Sequence, residues 1–256
     1  MRISSASHAV FALTLIGLAI LGLIKGDLTA IWQPIPKSMP APIALAYLCI
    51  LVSLACGIGL LWQRTAALAA RVLLAFFLLW LVLWRVPAML LSFTVDFWWS
   101  ASKTAVMTAA AWVLYVWFAT DWDKQRLGFI ASENGLRIAR VLYGLALIPF
   151  GIAHFMYLKQ TTVLVPGWLP SPAFWAYFTG GAYIAAGVAI AIGVFARLAA
   201  RLSALETGLI TLLVWVPRVT TGHLNSFQWG EVEVSIALTA AAWVVADSYQ
   251  HSPRRT

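Results

Sequence analysis

Apolar stretches of about 20 residues recur along the chain, separated by short polar connections; that is the length needed to span a hydrocarbon core about 30 Å thick. Inside lipid the backbone must satisfy its own polar groups, and a helix does so within one segment. The pattern predicts eight helices, near residues 8–24, 42–62, 66–90, 103–120, 136–158, 172–195, 198–217 and 230–248. The expected fold class is all-α, a polytopic membrane protein. The longest polar stretch, Asp121 to Gly135, is the expected hinge between residues 1–120 and 136–256.

The two sides of that hinge match each other. Ile35-Pro36-Lys37-Ser38-Met39-Pro40-Ala41-Pro42 aligns with Val165-Pro166-Gly167-Trp168-Leu169-Pro170-Ser171-Pro172, with three prolines coinciding at an offset of 130 residues. At the same offset Tyr47 meets Tyr177, Gly57 meets Gly187, Arg71 meets Arg201, Val86-Pro87 meets Val216-Pro217, and Trp99 meets Trp229. One residue of slippage later, Ala109 to Val113 meets Ala240 to Val244. Apolar helices align by chance; prolines and tryptophans at one offset do not. The expectation is a tandem duplication of a four-helix unit. An even helix number makes both copies cross in the same sense, so a pseudo-twofold axis should lie along the membrane normal.

Composition agrees: 62% of residues are hydrophobic and 10% charged, too few to cover a soluble globule. The formal charge of +8 would suggest nucleic acid in a soluble protein, but here the basic residues sit in loops and helix ends, where orientation explains them. Of the 17 Lys and Arg, eleven fall on the face that holds the N-terminus and six on the other, which predicts cytoplasmic termini and an inner-membrane location. Met1-Arg2 and the apolar run after it imitate a signal peptide, but the run has a partner in the second half and is expected to be retained. Cys49 and Cys56 stand seven residues apart on one helix, roughly 10 Å, too far for a disulfide.

The halves differ in polarity. Glu206 stands where the first half has Phe76, Arg218 against Ala88, His223 against Phe93, Glu231 near Ser100 and His154 against Ile24. Lys25, Asp27, Arg85 and Asp96 lie close to some of these positions, which leaves Glu206 the cleanest case. It falls roughly 12 Å into its helix, where an ionised carboxylate is expensive and an acid is a functional candidate. Thr179, Tyr183 or a backbone carbonyl are its expected partners. His154 shares a helix face with Gly144 and Gly151, glycines that suit close helix contact. Glu231, Ser235 and Thr239, spaced by four, form a polar stripe, while Glu233 faces elsewhere and is expected in solvent. Arg218 after Pro217 suits snorkelling to the interface. His154, Arg218, His223 and Glu231 fall on the outer side, and with Glu206 as floor they are expected to line a polar cavity of the second half.

Metal is not expected, because no tight ligand spacing joins His154, His223 and Glu231. Haem is disfavoured because His223 sits in a loop. The 14 tryptophans suit interfacial anchoring, with Trp168, Trp175 and Trp229 available to wall a pocket for a flat ring. Glycine-rich phosphate loops, GxSxG and HExxH are absent.

The segment Gly144 to Asp247 resembles the DoxX-like family of small bacterial membrane proteins. The resemblance rests on Gly151 to His154-Phe155, the run Val165 to Pro170, Tyr177 with Thr179-Gly180, Gly187, and the ending Ser235 to Trp243. It implies a four-helix unit and a link to quinones or sulfur oxidation, since the family takes its name from a subunit of a thiosulfate:quinone oxidoreductase. Tyr177 thereby joins Thr179, Tyr183, Glu206 and His154 as a ligand candidate. Three readings follow: an accessory subunit of a membrane oxidoreductase with a redox protein partner and a quinone-like ligand, a transporter or binding protein for a small molecule, and a structural partner of another membrane protein.

The topology is testable. In a C49A/C56A background, S171C should react with an impermeant thiol reagent in intact cells; labelling that requires lysis would reverse the assigned orientation.

Overall fold

The computed structural model describes residues 5–26, 30–33, 42–222 and 224–250. Most of the first-half proline run, at 35–41, and His223 lie outside the described residues. Every regular element among the described residues is helical. In chain order they are α1 (Ala6–Lys25), α2 (Pro42–Leu61), α3 (Ala66–Ser92), α4 (Val95–Phe118), α5 (Asp121–Arg126), α6 (Glu133–Met156), α7 (Leu158–Leu164), α8 (Pro172–Ile192), α9 (Ala196–Thr221) and α10 (Ser226–Ser248). Seven of these, all but α4, α5 and α7, are long and apolar enough to cross a membrane. The protein is thus an all-α polytopic membrane protein.

The eighth long helix, α4, starts at Val95 rather than near 103 and is 24 residues long. Asp96, Lys103 and its many Ala, Ser and Thr residues lower its hydropathy. It can afford them because Thr104 to Tyr115 are all buried by other helices rather than by lipid. Local chemistry sets the helix ends. The Ser5 hydroxyl accepts from the His8 N–H at 3.2 Å to start α1, and Asn225 with Gln228 forms a reciprocal cap on α10. Gly26, Gly193 and Gly222 take the left-handed conformation that ends α1, α8 and α9.

Helices α3 and α9 share a second device. Each widens into a five-residue π turn, Leu81–Arg85 and Thr211–Trp215, in which the N–H of Val86 or Val216 reaches back five residues. Pro87 and Pro217 follow directly. A proline has no N–H, and its ring crowds the carbonyl four residues earlier. The wide turn relieves that crowding without breaking the helix. The two turns lie 130 residues apart.

Packing has the same form in both halves. Neighbours in sequence pair, α1 with α2 with α3 with α4, and α6 with α8 with α9 with α10. Across the halves, α1 packs on α10 and α6 packs on α4, while α4 and α10 meet each other. The first helix of each half thus lies against the last helix of the other. Ala109-Ala110-Ala111 and Ala240-Ala241-Ala242 are buried at this seam. Lipid tails are as apolar as leucine, so close van der Waals approach of small residues holds such helices together.

The predicted hinge is anchored. Thr120 and Asp123 form a capping box that opens α5. Fully buried Asp123 takes two parallel hydrogen bonds from Arg71, Nε and Nη2, both at 2.9 Å, and a third from the Tyr115 hydroxyl at 3.1 Å. The indole N–H of Trp112 donates to the Ile130 carbonyl at 2.9 Å. Burial alone would raise the Asp123 pKa, but the bonds from Arg71, Thr120 and Tyr115 outweigh it and hold the carboxyl at about 2. A depressed folded pKa stabilises above the unfolded value near 3.8 and is lost as pH falls toward 2. D123N should cost on the order of 2 kcal/mol in thermal unfolding of the detergent-solubilised protein at pH 7. The gap between wild type and D123N should narrow as the pH is lowered from 5 toward 2; a pH-independent gap would contradict this account.

Candidate functional site

Ser203, Thr207 and Thr211 are spaced by four on α9 and so share one face. Each hydroxyl donates to a carbonyl of its own helix, as with Thr207 to Ser203 at 2.8 Å and Thr211 to Thr207 at 2.9 Å. Each also meets a hydroxyl from another helix. Tyr143 of α6 lies 3.0 Å from Ser203, and Tyr183 of α8 lies 3.3 Å from Thr207. Ser235 and Thr239 of α10 lie 2.6 and 2.8 Å from Thr211. One row of hydroxyls therefore ties four helices together. Its α9 members stand where the first half has Leu73, Phe77 and Leu81. There the space is filled by aromatics: buried Trp32 stacks on Phe77 at 4.7 Å and meets Trp80 edge-on at 5.3 Å.

Glu206 lies at the edge of this row. Exposed Leu202, Leu205 and Leu209 flank it toward lipid, and buried Ser203 and Thr207 adjoin it on the inner side. It is close enough to Tyr143 and Tyr183 for its charge to act on both. Its Oε1 is buried and has no hydrogen-bond partner among the described residues. Such an atom costs free energy unless something bonds it.

His154 reaches the same group from α6. Its Nδ1 lies 2.7 Å from the Phe150 carbonyl, and its ring lies 5.6 Å from that of Tyr183. Tyr183 thus stands between His154 and Glu206. The glycine seam reaches this point: a Cβ on Gly151 would sit 2.3 Å from the Gly180 carbonyl, and one on Gly144 would sit 2.8 Å from that of Gly187. Only glycine permits α6 and α8 this approach.

The other candidates are placed elsewhere. Thr179 bonds back to the Trp175 carbonyl at 2.9 Å. Tyr177 is 52% exposed toward lipid, with its ring against Phe155. Glu231 is paired with Lys103 of α4 at 2.8 Å, and Lys103 in turn lies over the Trp99 ring. Glu233, expected in solvent, is buried; it pairs with Lys25 of α1 and accepts from the Ala30 N–H. The reason is the cross-half packing, which brings α1 against α10. Arg218 does not lead to a pocket. It donates to the carbonyls of Val163 at 2.8 Å and Leu164 at 3.2 Å, clamping the end of α7.

Arg85 makes the corresponding clamp in the first half, donating to Trp32 and Gln33 carbonyls at 2.8 and 2.6 Å. Gln33 and Val163 are 130 residues apart, although the arginines are not. The apparent one-sidedness of Arg218 is therefore a shift of one helical turn. Of the residues singled out, Glu206, Tyr183 and His154 come together; Tyr143, Ser203, Thr207 and Thr211 join them. The spacing of four on α9, set against leucine and phenylalanine in the first half, is the signal that marks the last three. No group of His, Cys, Asp and Glu among the described residues could hold a metal ion.

These features define a multi-pass helical membrane protein with a polar, hydroxyl-rich second half. The family model for DoxX matches residues 135–216, which run from α6 through the π turn of α9, so this segment is a DoxX domain. No curated protein and no solved structure matched the chain.

If Arg218 is a clamp, R218A should raise amide hydrogen exchange across residues 158–165 while leaving exchange in α6 unchanged. Unaltered exchange at 158–165 would show that the carbonyl contacts carry no weight.

Proposed function

We propose that the chain is a membrane subunit of a redox system, built as two tandem four-helix units, and that its second unit binds a quinone-like ring at Glu206. The single observation that carries the ligand reading is the orphan Oε1 of Glu206, set at the border between lipid and the hydroxyl row. A protonated carboxyl offers one donor, and a ring carbonyl offers the acceptor it lacks. The exposed leucines around Glu206 place that carboxyl beside the acyl chains, the phase in which such rings dissolve. Tyr183 and Tyr143 stand behind it as relays of hydrogen bonds, and His154 adjoins Tyr183. The ring supplies the redox chemistry when bound; the electrons belong to a partner protein. The tandem reading is supported by the paired helices, the paired π turns and the carbonyl clamps. Under it, a pseudo-twofold axis runs through the α4–α10 contact, and the termini face the cytoplasm.

The quinone reading is tested by binding a short-tailed ubiquinone analogue to the protein in nanodiscs. E206Q should fold normally and bind at least about tenfold more weakly, a loss of roughly 1.4 kcal/mol. F76L, at the matching place of the first half, should bind as wild type does. Equal binding by wild type and E206Q would remove the site. Glu206-dependent uptake of a small weak acid into vesicles, without quinone binding, would instead establish the transport reading. A stoichiometric protein partner with neither activity would establish the structural one.

A further inference from the structure

Arg71 and Arg201 occupy the same place in the two halves, one turn inside the start of α3 and α9. Their surroundings differ. Arg71 is saturated: Asp123 holds it by two parallel hydrogen bonds, and Trp122 lies under its guanidinium at 4.7 Å. Arg201 has no hydrogen bond or ion pair to any described residue. The position that corresponds to Asp123 is 253, a proline, and residues 249–256 contain no Asp or Glu.

Two open grooves meet at Arg201. One, of about 290 Å³, runs between α9 and α10, with Ala204, Leu205, Trp243 and Ala246 as apolar walls. The other, of about 500 Å³, lies over the start of α9 and includes Arg197 beside Arg201, with no carboxylate among its lining residues. Asp247 is the acid lining the first groove, and its Oδ1 already accepts from Gln250 at 3.0 Å. A fork of donors that binds a carboxylate in one half is thus left facing outward in the other, at the membrane–water boundary, above an apolar trough.

We infer that Arg201 and Arg197 bind the phosphate of an anionic phospholipid, whose acyl chain lies in the trough between α9 and α10. The guanidinium fork matches a phosphate as well as it matches a carboxylate. The lipid takes the role in the second half that Asp123 has in the first. The apolar walls favour a lipid over a free anion, because only a lipid fills both grooves at once. The inference uses the correspondence of the two halves and is independent of any ligand at Glu206.

The test is native mass spectrometry and thermal unfolding of the delipidated full-length protein, with phosphatidylglycerol, phosphatidylcholine or inorganic phosphate added back. Phosphatidylglycerol should bind at one tight equivalent and raise the Tm, while the other two should not. R197A/R201A should weaken that equivalent at least about tenfold, and R197K/R201K should recover part of it. R126A, an exposed arginine of α5, should bind as wild type does. Unfolding of each variant in phosphatidylcholine identifies any loss of fold, and if the alanine variant proves unfolded, R201Q replaces it. Equal binding of both lipids, an unchanged R197A/R201A, or full replacement by inorganic phosphate would overturn the proposal. So would a protein that copurifies with wild type and is lost in the arginine variant, since its carboxylate would then be the anion.

Discussion

Everything in this bundle rests on how closely α4 and α10 can approach each other and their neighbours. The hydrophobic effect gives little reason for helices to associate in lipid, so contact distance decides stability. Alanines at the seam let α4 touch α3, α6 and α10, and let α10 touch α1, α4, α6 and α9. With the centre fixed in this way, α2 and α8 complete the bundle from outside, and α8 does so through backbone-to-backbone contact at the glycines of α6.

Charges follow from the same arrangement. Lys25 with Glu233, Lys103 with Glu231, and Tyr157 with Asp96 all join one half to the other near the face opposite the N-terminus. Each lies where the first or last helix of one half meets the other half. Such pairs contribute little to stability when solvated, but here they sit at the ends of a lipid-embedded seam, where leaving one partner unpaired is costly. They fix which helices face each other more than how tightly they hold.

The sequence made the helices legible because bilayer thickness sets their length, and the repeat legible because prolines recur at one offset. It concealed the start of α4, since Asp96 and Lys103 resemble a loop until their partners on other helices are known. Glu233 was misread for the same reason: helical phase places it on a face, but only the tertiary fold brings Lys25 to that face. Arg218 looked unique because the first-half clamp comes from Arg85, one turn earlier in the helix. Glu206 was legible because its charge contrasts with Phe76. The hydroxyl row beside it was not, since serine and threonine are ordinary in such helices and only their contacts make them a group.

The π turns carry one residue more than an α-helix of the same rise requires. Everything beyond each turn is therefore rotated by about 100° relative to an uninterrupted helix. In α3 the surplus residue sets the direction in which Arg85 leaves the helix, and in α9 it does the same for Arg218. The two loops they hold are thus aimed by a count of residues rather than by the identity of any one. Loss of a single leucine within Leu81–Arg85 or Thr211–Trp215 would leave every named contact residue in the gene and yet turn both the proline and the arginine beyond it toward the wrong neighbours.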